Sequence, residues 1–126
     1  METISTTDAP VPAGHYSQAV IHNGLVFVSG QLAVDAATGR KYAGTIEQQT
    51  RIALENVAAI LRAAGSDVDQ VLKTTVYISD IELWSRVNDV YAEFFGSHRP
   101  ARAVVEVSAL PKGALVEVKC VAYAGS

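Results

Sequence analysis

The chain has one cysteine, three histidines and no excess of positive charge, and each scarcity removes a class of function. Cys120 alone cannot form an internal disulfide or a multi-thiolate metal site, and its apolar neighbours are those of an ordinary buried thiol. His15, His22 and His98 are scattered without the paired spacing that holds zinc, so no metal and no cofactor is expected. Ten Lys plus Arg stand against 13 Asp plus Glu, which leaves the chain mildly acidic and without the basic footprint that a phosphate backbone demands. Nucleic acid is therefore a poor partner. No apolar run approaches bilayer-spanning length and the first residues are neither basic nor apolar, so a soluble, cytoplasmic protein is expected. A Gly-x-Gly-x-x-Gly phosphate cradle and a Gly-x-Ser-x-Gly nucleophile elbow are also missing.

At 126 residues the chain is read as one domain, small enough that burial through self-association would help it. Residues 1–14, with prolines at 10 and 12, read as an extended lead-in with little to bury. Tyr16 to Ile21 and Leu25 to Ser29 are apolar runs on either side of His22-Asn23-Gly24, and Asn-Gly favours the positive φ angles of a tight hairpin. Residues 31–43 carry turn chemistry around Asp35 and Gly39. Thr45 and Gln48 match a capping box, after which Ala53, Val57, Ile60, Leu61 and Ala64 share one helical face. That predicts a helix over 46–64.

Val71 to Ile78 is rich in β-branched residues with apolar positions on both faces, the pattern of an interior strand covered on both sides. Asp80 can cap a second helix whose buried stripe is Leu83, Val87, Val90, Tyr91 and Phe94, ending at Gly96. Arg102 to Val107 and Leu115 to Tyr123 are the closing strands. This order requires two crossovers and gives a mixed sheet with both helices on one face. Periodicity alone leaves a ferredoxin-like sandwich open as well. Helices on one side leave the opposite sheet face needing cover, which apolar positions of the closing strands would supply as a subunit interface.

Arg102 stands among Ala101, Ala103, Val104 and Val105. A guanidinium cannot shed its charge, so in apolar surroundings it needs either an internal carboxylate, with Glu106 and Glu117 the nearby candidates, or an anionic ligand. A carboxylate held by two parallel N–H···O bonds is the natural ligand.

The stretch from Pro100 to Val118 resembles the signature of the Rid/YjgF family of reactive-intermediate (enamine/imine) deaminases, which also carry the older label L-PSP endoribonuclease. Gly14-His15-Tyr16-Ser17-Gln18, Ser29-Gly30-Gln31, Lys73-Thr74-Thr75-Val76-Tyr77 and Val87-Asn88-Asp89-Val90-Tyr91 extend the likeness from about Ala9 to Tyr123. The resemblance implies an α+β, chorismate-mutase-like fold with a mixed β-sheet and two helices packed on one face, assembled as a homotrimer with ligand clefts between subunits. It further implies cofactor-free hydrolysis of 2-imino or enamine acids, such as 2-iminobutanoate and 2-iminopropanoate, to 2-keto acids and ammonia.

On that resemblance Arg102 clamps the substrate carboxylate and Glu117 orders the attacking water. Apolar neighbours would raise the pKa of Glu117 and proximity to Arg102 would lower it; the sequence leaves the outcome open. Tyr16 lines the cleft, Ser29 and Gly30 let a ligand oxygen approach the backbone, and Asn88 joins them and Arg102 as a substrate-binding residue; as a mediocre helix former, Asn88 also suits a tertiary hydrogen bond. Without the family, Tyr16 reads as an edge-strand aromatic, Ser29 and Gly30 as a turn, Asn88 as an exposed helix position, and Glu117 as a half-exposed strand residue beside Lys119. Glu106 reads as structural, able to pair with Arg102 in an empty site. Val104 stands where many members carry a cysteine, and His15 where proline is common, so thiol chemistry is not carried over and the cleft entrance differs. A non-catalytic trimer that binds keto acids, and an endoribonuclease, are the alternative readings.

Overall fold

The computed structural model describes residues 1–125. The elements are β1 (Glu2–Ile4), β2 (Ala19–His22), β3 (Leu25–Gln31), α1 (Ile46–Ala63), β4 (Val71–Ile78), α2 (Trp84–Phe95), β5 (Ala101–Glu106) and β6 (Val116–Tyr123). The six strands form one sheet in the order β1-β2-β3-β6-β4-β5, with β4 and β5 parallel and every other pair antiparallel. This is the expected α+β arrangement, a mixed sheet with both helices on one face.

Local signals account for most of the boundaries. Asn23 and Gly24 adopt φ of 52° and 75°, the left-handed pair that a two-residue hairpin turn requires between β2 and β3. Thr45 and Gln48 form the reciprocal capping box at the start of α1, the Gln48 N–H donating to the Thr45 hydroxyl at 3.2 Å and the Thr45 N–H to the Gln48 side-chain oxygen Oε1 at 2.9 Å. Gly96 (φ 62°) ends α2. Asp80 caps a short 3-10 turn, Ile81–Leu83, that leads into α2, and α2 itself starts one turn later than the capping residue implied. The last member of the α2 stripe is Phe95, which is buried, whereas Phe94 is half-buried. The lead-in segment contains a strand after all: Glu2–Ile4 pairs with β2, a contact its own composition does not announce. Tyr16 precedes β2 rather than belonging to it.

The core lies between the helices and the sheet. Leu54, Ile60 and Leu61 of α1 and Val87 of α2 are fully buried with Val26, Val76, Ile78, Val116 and Val118 of the strands. Each such side chain contributes roughly 1.5–3 kcal/mol of transfer free energy. Alternation along β4 puts Thr74, Val76 and Ile78 against the helices, with Val71 buried before a register shift, while Thr75 and Tyr77 on the other face are only half-buried. The expected cover on both sides is thus present on one. The open face carries Phe27, Val105 and Tyr123, 45%, 40% and 39% exposed.

Candidate functional site

Glu117 reaches its position through strand alternation. Val116, Val118, Cys120 and Ala122 of β6 are buried beneath the helices, so Glu117 and Lys119 project from the open face. The start of β6 is fixed from the helical layer, where the buried Gln49 side-chain oxygen accepts the Leu115 N–H at 3.1 Å. On the neighbouring strand the β3–β6 register shifts between Val28 and Gln31, and Gly30 lies in that irregularity. A Cβ at Gly30 would come within 2.5 Å of Glu117 Oε2 and 2.7 Å of its carboxyl carbon. Gly30 therefore makes room for the carboxylate of Glu117 rather than simply exposing backbone to a ligand. Burial holds the Glu117 carboxyl above its ordinary pKa, and the nearby Lys119 opposes the shift; Arg102 plays no part in it.

The rim beside Glu117 is tied down by Gln18, to which sequence reasoning assigned no role of its own, together with Ser29 and Tyr16. Gln18 is buried; its amide nitrogen reaches the carbonyls of Thr6, Ala9 and Pro10 at 3.0, 3.3 and 2.9 Å, and its oxygen accepts the Thr6 N–H at 2.7 Å. The Ser29 hydroxyl donates to the Ser17 carbonyl at 2.7 Å. The exposed Tyr16 follows in the same loop, its hydroxyl accepting the Ala13 N–H at 3.3 Å. Tyr16, Ser29, Gly30 and Glu117 line one cavity of about 750 Å³, which Lys112 also borders. Lys112 is held in the left-handed region at φ 59°, a geometry that costs a non-glycine residue about 1 kcal/mol. His15 is exposed and is not among the residues lining this cavity.

Arg102 lies elsewhere. It occupies the edge strand β5, where the sheet ends, and is exposed rather than sunk among valines; Ala103 and Val105 alternate to the other face. Its guanidinium Nη1 donates to Asn88 Oδ1 at 2.9 Å and its carbon sits 4.6 Å from the Trp84 ring centre and 4.8 Å from that of Tyr91. Trp84, Asn88 and Tyr91 fall at i, i+4 and i+7 of α2, one helical face. Each ring contact is worth about 0.5–1 kcal/mol at an exposed site. Neither expected acid is its partner: Glu106 accepts the Ile81 N–H at 2.8 Å, and Glu117 lies across the sheet. Arg102, Asn88 and Tyr91 border a second cavity of about 470 Å³. Val104, paired with Val76, faces the helical layer.

The register places the two principal residues apart. Arg102 pairs with Thr74 of β4, which is buried under α2, whereas Glu117 pairs with Tyr77, on the alternate face. Paired residues share a face, so within one chain the guanidinium and the carboxylate project from opposite sides of the sheet. The six sequence-selected positions thus form two groups, Tyr16, Ser29, Gly30 and Glu117 in one and Asn88 and Arg102 in the other.

Residues 6–124 match the family model described as Endoribonuclease L-PSP. The chain belongs to the Rid/L-PSP family. A RutC family protein of Pyrococcus horikoshii is 48% identical to this Rid chain over 122 residues, 97% of each. The 2-iminobutanoate/2-iminopropanoate deaminase of Bos taurus is 46% identical over 122 residues, 97% of this chain and 89% of its own. The crystal structure of E. coli TdcF with bound serine superposes on the Rid fold with a TM-score of 0.94, at 38% identity, covering 99% of this chain and all of the other. The high overlap in both directions extends to the segments that carry both groups of site residues.

Proposed function

We propose that this Rid protein hydrolyses short 2-imino acids, of the 2-iminobutanoate and 2-iminopropanoate kind, to 2-keto acids and ammonia. The observation that carries the reading is the state of Arg102: its hydrogen-bond partner is the neutral amide of Asn88, and its charge faces no carboxylate among the described residues. A permanently charged fork with donors to spare beside a cavity is suited to the planar carboxylate of an imino acid. Glu117 supplies the second requirement. Half-buried and with a raised pKa, it is a stronger base than an exposed glutamate and is placed beside a cavity large enough for substrate and water.

In the proposed reaction water adds to C2 of the protonated imine as Glu117 takes its proton. Protonated Glu117 returns that proton to the carbinolamine nitrogen, and as the C–N bond breaks and ammonia leaves, the hydroxyl gives its proton back to Glu117 and the keto acid remains. An iminium carbon is already activated, so a gripped carboxylate and an aimed water suffice. The names of the deaminase relatives support this substrate class.

Since Arg102 and Glu117 project from opposite faces, the reading has each site built from two copies of the chain, one giving Arg102 and Asn88, the other Glu117, Gly30, Ser29 and Tyr16. The apolar open face around Phe27, Val105 and Tyr123 supports packing of copies as a homotrimer of single-domain subunits. No helix among the described residues is long and apolar enough to cross a membrane, and the buried, unpaired Cys120 suits a reducing, cytoplasmic compartment.

The test is ammonia release when an amino-acid oxidase generates 2-iminobutanoate in place. The unchanged protein should accelerate release, and Arg102→Ala and Glu117→Gln should each remove the acceleration. Full activity in Arg102→Ala overturns the carboxylate clamp, and keto-acid binding without acceleration marks a sensor instead of an enzyme.

A further inference from the structure

Arg102 is an exposed arginine on an edge strand, a place where a long side chain ordinarily samples many rotamers. Here it does not stand free. Its guanidinium carbon is 4.6 Å from the Trp84 ring centre and 4.8 Å from that of Tyr91, and Asn88 takes one of its hydrogens. We infer that Trp84 and Tyr91 are positioning residues, an aromatic cradle that holds the Arg102 guanidinium in the orientation a substrate carboxylate meets. The inference rests on the proposed role of Arg102 as the carboxylate clamp and adds residues which that role does not itself include.

Both rings are fixed from behind, which distinguishes a cradle from chance contact. The Tyr91 hydroxyl is buried and hydrogen-bonded to the Thr74 hydroxyl at 2.7 Å, and its ring lies 4.6 Å from that of Phe95 in the core. Trp84 is half-buried and opens α2 directly after the 3-10 turn Ile81–Leu83. That turn is pinned twice, by Asp80 accepting the Glu82 N–H at 3.0 Å and by Glu106 accepting the Ile81 N–H at 2.8 Å. Glu106 lies four residues beyond Arg102 on the same strand and the same face. One strand therefore provides both the cation and the acid that anchors the turn bearing its aromatic wall.

A guanidinium ordered before substrate arrives loses less rotamer freedom on binding, so the cradle acts on affinity and leaves the chemical step alone. Trp84→Leu should raise KM for 2-iminobutanoate about three- to fivefold, the factor that one exposed cation–π contact provides. The kcat should be unchanged, and Trp84→Phe, which restores a ring, should return KM close to its starting value. An unchanged KM in Trp84→Leu, or a fall in kcat at constant KM, overturns the inference. A purely structural role would lower thermal stability without this split or its rescue.

Trp84 is the single tryptophan of the chain, so its emission gives a second measurement in which Trp84 is left intact. Addition of 2-oxobutanoate to the unchanged protein should alter the emission, and the response should vanish in Arg102→Ala. Identical emission in both proteins, with and without the keto acid, overturns the cradle. Should the unchanged protein bind 2-oxobutanoate without deaminating, the hydrolytic reading fails and the cradle is judged by calorimetry. Weaker keto-acid binding in Trp84→Leu then supports it, whereas equal binding, or none in the unchanged protein, overturns it.

Discussion

Arg102 and Glu117 belong to strands on either side of β4, yet the guanidinium projects beneath α2 and the carboxylate from the opposite face, their registers falling on Thr74 and Tyr77. A single copy cannot present both to one small substrate. Mixing chains tests this directly. If Arg102→Ala and Glu117→Gln chains, each inactive alone, are co-refolded in equal amounts, deaminase activity should return to about a quarter of the unchanged level, since one boundary in four then carries both intact residues. Recovery of no activity would place the two residues in separate functions.

Gly30 has no side chain because Glu117 occupies the space where one would be. In Gly30→Ala the added Cβ, 2.5 Å from Oε2, forces the carboxylate to move. A general base displaced by about an ångström costs on the order of 10²-fold in rate. We expect kcat in the ammonia-release assay to fall by that order while calorimetric affinity for 2-oxobutanoate, assigned to Arg102 in the proposed reaction, stays within about threefold. Loss of keto-acid binding with kcat preserved would reverse the assignment.

The raised pKa of Glu117 makes a stability prediction of definite sign. Burial favours the protonated form, so the folded state binds this proton more tightly than the unfolded state. The carboxyl is therefore best tolerated at a pH below its unfolded pKa, and stability is lost as pH rises through the raised folded value. Glu117→Gln removes that loss and should raise Tm at pH 7. Below about pH 4 the two proteins should melt alike, because both then carry a neutral group. An unfolding series from pH 4 to 8 checks this, and a variant that melts lower at pH 7 contradicts it.

Thr74 and Tyr91 share a buried hydroxyl pair. Thr74→Val leaves the Tyr91 hydroxyl without its partner and should cost about 1–3 kcal/mol in denaturant unfolding. Tyr91→Phe added to it removes the orphaned group and should recover most of that loss. Strictly additive losses would show that the two hydroxyls act independently.

The helices were legible because their signals are local: the Thr45/Gln48 box and the 3.6-residue stripe of α1 appear where the residues dictate. The hairpin was legible for the same reason, since Asn23-Gly24 takes positive φ whatever lies around it. β1 was not, because Glu2–Ile4 becomes a strand only by pairing with β2. Of the candidate site, the residue types were visible and their arrangement was not. Arg102 looks buried when its apolar neighbours are read in line, but alternation sends Ala101, Ala103 and Val105 to the other face and the edge position of β5 leaves Arg102 open to solvent. Trp84 gave no signal as a partner for Arg102, and Gln18 appeared only as part of a family block, with nothing to show that it ties the lead-in segment down.

What the sequence determined by itself was the set of elements and the chemistry available to them, since caps, turns and periodicity act over a few residues and a guanidinium is charged in any setting. The order of strands, the face from which each functional side chain projects, and the aromatic wall behind Arg102 were decided by the tertiary structure. Those depend on which strand lies beside which, and a one-residue change of register, invisible in any local pattern, would carry each side chain through to the other side of the sheet.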